Sequence, residues 1–247
     1  MSSIVSYKKS SSFQTVDYLK FFFAICIICL HTAFFAPSII RPYVTGILYR
    51  TAVPYFFIAS GFFIGLKIYK DEEKGFSIIR AWIVRLMLML LVFEPINIIL
   101  RSINYYHIDN LSIINITTKV IQSLIFYPWG ALWYIQALVV AILILWLFVK
   151  KKLEIFIIPT GVLLYSFALL CNNYYSFTPY VLKGIVDDYM SVCLSARNGI
   201  FVGFIYVGIG LLMAKYKIQN TKYICIDIFF NSVMCRNIFS RRIYKGG

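Results

Sequence analysis

The sequence predicts an all-α protein, a polytopic transmembrane helical bundle of six or seven spans. Three observations point there. Of 247 residues, 61% are hydrophobic and only 14% charged, against about half apolar and a quarter charged in ordinary soluble domains. The apolar residues fall in runs close to the roughly 20 residues that a spanning helix needs. The basic residues gather on alternate connections between those runs.

Taken in order, the first run covers about residues 16–36, with Phe21 to Leu30 as its apolar core. The second covers about 44–66 and the third about 81–100. The third carries Arg85 and Glu94, which makes it expensive to place in lipid alone. The fourth, 131–149, has no charge at all. The fifth is 155–171 and the sixth about 198–214. A short seventh, 223–235, contains Asp227. Pro54, Pro95 and Pro159 lie in or near these runs. In a bundle, neighbouring helices can satisfy the carbonyls that proline frees.

Placing the N-terminus in the cytoplasm beside Lys8 and Lys9 puts three basic clusters on the inner side. These are Lys67, Lys70, Lys74 and Arg80, then Lys150, Lys151 and Lys152, then Lys215, Lys217 and Lys222. The outer connections hold Arg41, then Arg101 and Lys119, then Lys183 and Arg197. The bias has the same sign at every turn. The net charge of +14 is therefore accounted for by topology. No basic face with polar surroundings suggests nucleic acid as a partner. The partner expected from composition is the lipid bilayer.

The first run reads as an uncleaved span, because no clear cleavage site follows His31 and further spans come after it. Cys26 and Cys29 form a C-x-x-C inside an apolar run, where they read as small hydrophobes. His31 and His107 are the only histidines and no metal-ligand spacing is present. Asn115, in N-I-T, meets the glycosylation pattern on an expected outer loop.

In an apolar chain the costly polar residues are the informative ones. Asp17 and Lys20 are three apart and share a helix face, either as an anchor at the membrane edge or as functional groups. His31 lies eleven residues past Lys20, about 16 Å along a helix. It is read as a structural histidine or as a group facing a cavity, where imidazole is a natural general base for a hydroxyl. Asp17 is fourteen residues, about 21 Å, from His31, so a direct Asp–His dyad does not follow. Arg80 and Arg85 serve either as inner anchors or as a basic mouth for an anionic cosubstrate. Glu94 needs a partner or a proton if it lies in the membrane. Arg197 and Asn198 open the sixth run from the outer side. Trp133 and Tyr134 suit an interfacial aromatic belt, and Ser60-Gly61 suits close helix packing or a kink.

Four segments together resemble the membrane-bound acyltransferase 3 family. Thr15 to His31, T-V-D-Y-L-K-F-F-F-A-I-C-I-I-C-L-H, resembles its opening helix, with the acid, the base three later and the histidine eleven beyond. Pro54 to Ile64 contains a Phe-Phe-x-x-Ser-Gly motif, Leu132 to Leu138 a Leu-Trp-aromatic-x-x-Ala-Leu motif, and Ser195 to Gly210 an Arg-Asn-Gly-x-Phe segment. The last is similar to the branch near the membrane domain of vancomycin-resistance serine racemases. The resemblance divides the chain into a cytoplasmic segment 1–12, a partial acyltransferase-like transmembrane domain 13–214, and a basic tail 215–247 with a short seventh span. Lys20 stands where many members carry arginine. The family pattern has about ten spans, so the chain reads as one that lacks the later helices.

What the resemblance implies is transfer of an acyl group, acetyl above all, from acyl-CoA (acetyl-CoA) at the cytoplasmic face of a bacterial cell membrane. The acceptor is a hydroxyl of an envelope carbohydrate or a small metabolite. Acyl-CoA is a cosubstrate and no cofactor is bound permanently. The roles implied are catalytic for His31, with Asp17 fixing a cation beside it in the site. Lys20, Arg80 and Arg85 hold the donor, and Arg197, Asn198 and Trp133 line the acceptor side. Two rival readings are amino-acid or small-solute transport through the same buried charges, and an inactive truncated enzyme.

Overall fold

The computed structural model describes residues 14–32 and 50–219, apart from 108, 110, 129 and 173. The described residues are mostly helical, with no strand among them. Among the described residues there are eight α-helices: α1 Gln14–Thr32, α2 Arg50–Lys70, α3 Gly75–His107, α4 Ile113–Phe126, α5 Trp133–Lys150, α6 Ile157–Asn172, α7 Tyr180–Cys193 and α8 Phe204–Gln219. A π-helical turn, Gly199–Gly203, leads into α8. Five stretches among the described residues are long and apolar enough to cross a membrane. They are α2, α3, the segment Ile113–Lys150 that contains α5, Glu154–Asn172 with α6, and Gly199–Lys217 with α8. Each matches an expected run, with α3 extended well beyond residues 81–100 at both ends. The expected seventh span, 223–235, lies outside the described residues.

The prolines are accommodated in two ways. Pro159 sits in the first turn of α6, where its missing N–H costs nothing. Pro54 and Pro95 lie inside α2 and α3.

The described residues fall into two compact units, one ending at Phe56 and the other formed by Phe57–Gln219. In the first, α1 runs antiparallel to the opening of α2. The Tyr55 hydroxyl donates to the Val16 carbonyl at 2.9 Å, and the Phe23 and Tyr55 rings lie 4.6 Å apart. Cys26 is buried with Ala52 among Phe23, Ile27, Cys29 and Phe56, so it does pack as a small hydrophobe.

In the second unit α2, α5 and α8 run parallel to one another, and α6 runs antiparallel to α8. Glycines permit this. A Cβ on Gly61 would strike the Val207 backbone, and one on Gly210 would strike the backbone at Ile58 and Phe62. Small residues thus let α2 and α8 touch along their backbones, as helices do where no water drives them together. Gly161 meets Ile205 and Gly208 meets Ile157 in the same way between α6 and α8. The core between them holds Phe57, Phe62, Ile64, Leu145, Ile157, Phe204 and Val207, all nearly inaccessible. By contrast α3 shows most of its apolar side chains, with Leu91 72% and Ile99 59% exposed. In water that face would be costly, since each such side chain forgoes about 1.5–3 kcal/mol of burial. Against lipid tails it costs nothing.

These directions bring one set of helix ends together. Gly75, at the start of α3, packs on Trp146 near the end of α5, and Lys215 near the end of α8 reaches Tyr69 near the end of α2. Lys67, Lys70, Lys74, Lys150, Lys151, Lys152, Lys215 and Lys217 therefore share one end of the unit. Arg197 stands at the other end, before the π turn that leads into α8, and α8 from Phe204 to Lys215 alone spans about 16 Å.

α4 and α7 were not expected as helices. Both are short and amphipathic, 14 residues each, and neither is a long apolar run. Ser112 caps α4, its hydroxyl accepting from the Asn115 N–H at 3.4 Å. Asn115 consequently sits in the first turn of a helix rather than on the loop expected for it.

Candidate functional site

Three of the four motif segments meet in the Phe57–Gln219 unit. From α2 come Phe57 and Ser60, from α5 Trp133 and Tyr134, and from the turn before α8 Arg197 and Asn198. The Phe57 ring lies 4.5 Å from Tyr134 and 6.3 Å from Trp133. Ser60 Oγ and Tyr134 Oη are 3.3 Å apart, a hydrogen bond between two motif hydroxyls. Trp133 stacks on Tyr127 at 6.0 Å with 20° between the ring planes. Arg197 lies near enough to Tyr127 for its charge to act on the phenol. The arrangement is an aromatic floor with hydroxyls and one exposed cation at its edge.

The floor is held from several sides. Gly199 and Gly203 bring the π turn onto α5, where a Cβ on either would crowd the Ala137 carbonyl. Gln136, one turn into α5, donates to the carbonyls of Leu124 and Ile125 at 3.3 and 2.8 Å and so closes the end of α4. Asn198 caps the π turn, its Oδ1 accepting from the N–H groups of Ile200 and Phe201 at 3.0 and 3.1 Å. Its Nδ2 donates to the Tyr189 hydroxyl of α7 at 2.7 Å. Leu194, with φ of 61°, takes the left-handed conformation that ends α7 and turns the chain toward this loop. Burial, before any charge, pushes the Tyr189 phenol up, which keeps its proton in place for hydrogen bonding.

The remaining expected residues lie elsewhere. Asp17 and Lys20 form a 3.2 Å ion pair on the first turns of α1. His31 is exposed near the other end of the same unbroken helix, so the 21 Å separation from Asp17 holds and they form no dyad. Arg80 and Arg85 are exposed on the first third of α3. Glu94 is buried at 5% exposure in the middle of α3. Ser60, Tyr127 and Tyr189 were missed as site residues. Ser60 looked like a packing residue beside Gly61, and no local spacing marks Tyr127 or Tyr189, which join the site only through folding.

A family model described as an acyltransferase domain matches residues 13–225. The chain belongs to this acyltransferase family. Its helices, long and apolar enough to cross a membrane, fit a membrane protein of that family. A protein named amino-acid racemase, from Enterococcus faecalis, is 29% identical over 208 residues, which are 82% of this chain and 28% of that protein. The acyltransferase-family chain thus spans less than a third of that relative's length. No solved structure matches it. Within the family-matched range lie both the α1 residues Asp17, Lys20 and His31 and the floor built from Ser60, Trp133, Tyr134 and Arg197.

Proposed function

We propose that the chain transfers an acyl group, acetyl by preference, from acyl-CoA to a hydroxyl of a cell-envelope carbohydrate or small metabolite at a bacterial cell membrane. The observation that supports this most is the meeting of three family motif segments around the Ser60–Tyr134 hydroxyl pair and Arg197, in a chain of an acyltransferase family. In the reaction the acceptor oxygen forms an ester bond to the acyl carbon as the thioester C–S bond breaks. His31 takes the hydroxyl proton, which ends on the coenzyme thiol. A histidine in this role contributes about 10²–10⁴-fold. Lys20, with Arg80 or Arg85, holds the anionic donor at the cytoplasmic face, and Asp17 fixes Lys20. Arg197, Asn198 and Trp133 line the acceptor side.

The test is acetyl-CoA consumption by membranes containing the full chain, beside His31→Ala at matched protein level. The expected result is consumption above that of empty membranes and its loss in the variant. Unchanged consumption in His31→Ala would sink the base assignment. A second reading, transport of an amino acid or small solute, draws on the buried Glu94 of α3, an ionisable residue that would line a substrate path. Solute uptake that needs no acyl donor would favour it.

A further inference from the structure

Tyr189 lies on α7, outside every motif segment, yet its hydroxyl is built into the site. It accepts from Asn198 Nδ2 at 2.7 Å and donates to the Ser195 carbonyl at 3.3 Å. The ring is fixed as firmly as the hydroxyl. Phe167 and Phe201 meet it edge-on at 5.6 and 5.4 Å, and they lie 5.0 Å from each other. Between the two residues that the hydroxyl holds runs the chain Ser195–Ala196–Arg197–Asn198. Its Ser195 Oγ accepts from the Arg197 N–H at 3.1 Å. Both ends of this short loop are thus tied to one phenol, and the residue carried between them is Arg197, whose charge lies near Tyr127, the stacking partner of Trp133.

We infer that Tyr189 is a positioning residue for the site: by bridging Ser195 and Asn198 it sets where the Arg197 charge stands beside Tyr127 and its partner Trp133. This rests on the reading of Arg197 as an acceptor-side group, but the geometry makes a claim of its own. Asn198 alone caps the π turn through Oδ1. Its Nδ2, and therefore the orientation of the amide, depends on Tyr189. Without the phenol oxygen the amide keeps its Oδ1 bonds but loses its Nδ2 partner, and the loop that carries Arg197 loses the bridge from Ser195 to Asn198. An exposed arginine has many rotamers, so a fixed backbone origin is what confines its charge to one edge of the aromatic floor.

The consequence can be read optically, without an assumed substrate. In the full chain with Trp82, Trp129 and Trp146 changed to Phe, Trp133 is the single indole. A unit charge several ångströms away in water raises the local concentration of a monovalent anion about threefold. Iodide therefore quenches Trp133 more strongly while Arg197 is in place, whereas neutral acrylamide is indifferent to that charge. The expected result is that Tyr189→Phe lowers the iodide quenching constant part of the way toward Arg197→Gln, which lacks the charge and falls about threefold, with acrylamide quenching unchanged. Asn198→Ser, which keeps a cap oxygen but lacks the amide donor and adds no charge, supplies the same measurement if Tyr189→Phe fails to insert. Iodide quenching that stays at its original value in these variants overturns the inference. A parallel rise with both quenchers overturns it as well, since that reports general opening. Acetyl-CoA consumption by the same proteins bears on the acyl-transfer reading alone, so the two fail separately.

Discussion

Glu154, on the 3₁₀ turn before α6, forms a 3.0 Å ion pair with Lys215 near the end of α8, 61 residues away in sequence. Tyr69 of α2 donates to the same carboxylate at 3.5 Å, and the Lys215 ammonium lies over the Tyr69 ring. Three helix ends are thereby tied by one carboxylate that is only 12% exposed. Removing its charge leaves a partly buried lysine without its counter-ion. Glu154→Gln is expected to cost about 1–2 kcal/mol and to lower the thermal unfolding midpoint in detergent. The Asp71–Lys74 pair in the α2–α3 connection makes the contrast. Its hydrogen bond to Lys74 holds the Asp71 carboxyl below its ordinary range, yet the pair is exposed, and Lys74→Met is expected to leave the midpoint where it was.

The α2–α8 contact gives a second expectation, with opposite signs at different glycines. At Gly61 and Gly210 an added methyl meets backbone, which cannot swing aside as a side chain can. Gly61→Ala and Gly210→Ala are each expected to destabilise by about 2 kcal/mol or more, and the double variant by less than their sum, because both part the same two helices. Gly184, within α7, has nothing within 4 Å of where its Cβ would stand. Gly184→Ala is expected to stabilise by roughly 0.5–1 kcal/mol through helix propensity alone. Unfolding midpoints of the variants decide all three. A stable Gly61→Ala protein would mean that α2 and α8 do not approach as closely as described.

Much of this was legible in the sequence. A run such as Ala131 to Val149 has no charge and the right length, so α5 announced itself, and the alternating basic clusters anticipated the shared lysine end. α4 and α7 were missed for a physical reason. Ile113, Ile114, Ile121 and Leu124 alternate with Asn115, Thr117, Thr118 and Gln122, so no stretch is apolar enough to register as a span. The site was half legible. Trp133, Arg197 and Asn198 were singled out and do share one floor, but Ser60 was read as packing beside Gly61. Tyr189 could not be found, because its importance lies in a hydrogen bond to a residue nine positions on that exists only once α7 ends in the left-handed turn at Leu194.

The Asp17–Lys20 pair permits a separation of structural from functional roles. Lys20 is 38% and Asp17 67% exposed, so the pair is worth at most about 1 kcal/mol to the fold. Asp17→Asn is therefore expected to unfold at nearly the original temperature. If Asp17 holds Lys20 on the acyl donor, the same variant should consume acetyl-CoA about tenfold more slowly or worse, through misplacement of the cation. Equal rates in the two proteins would reduce the pair to a helix-end anchor.

Orientation in the membrane follows from the common lysine end and is open to direct measurement. Lys151 is exposed in the α5–α6 connection, and Asp109 is exposed between α3 and α4, at the opposite end of the unit. In an otherwise cysteine-free chain, a thiol introduced at Lys151 is expected to resist a membrane-impermeant maleimide added to intact cells and to react once the cells are opened. One introduced at Asp109 is expected to react from outside. The physical basis is that eight lysines at one end resist translocation, and that bias is fixed by charge rather than by any site chemistry. Reversed labelling would place Lys67, Arg80 and Lys215 outside. A cytoplasmic acyl-CoA could not then be held by Arg80 or Arg85, and the donor-binding part of the proposal would fail while the acceptor floor around Ser60 and Tyr134 stayed intact.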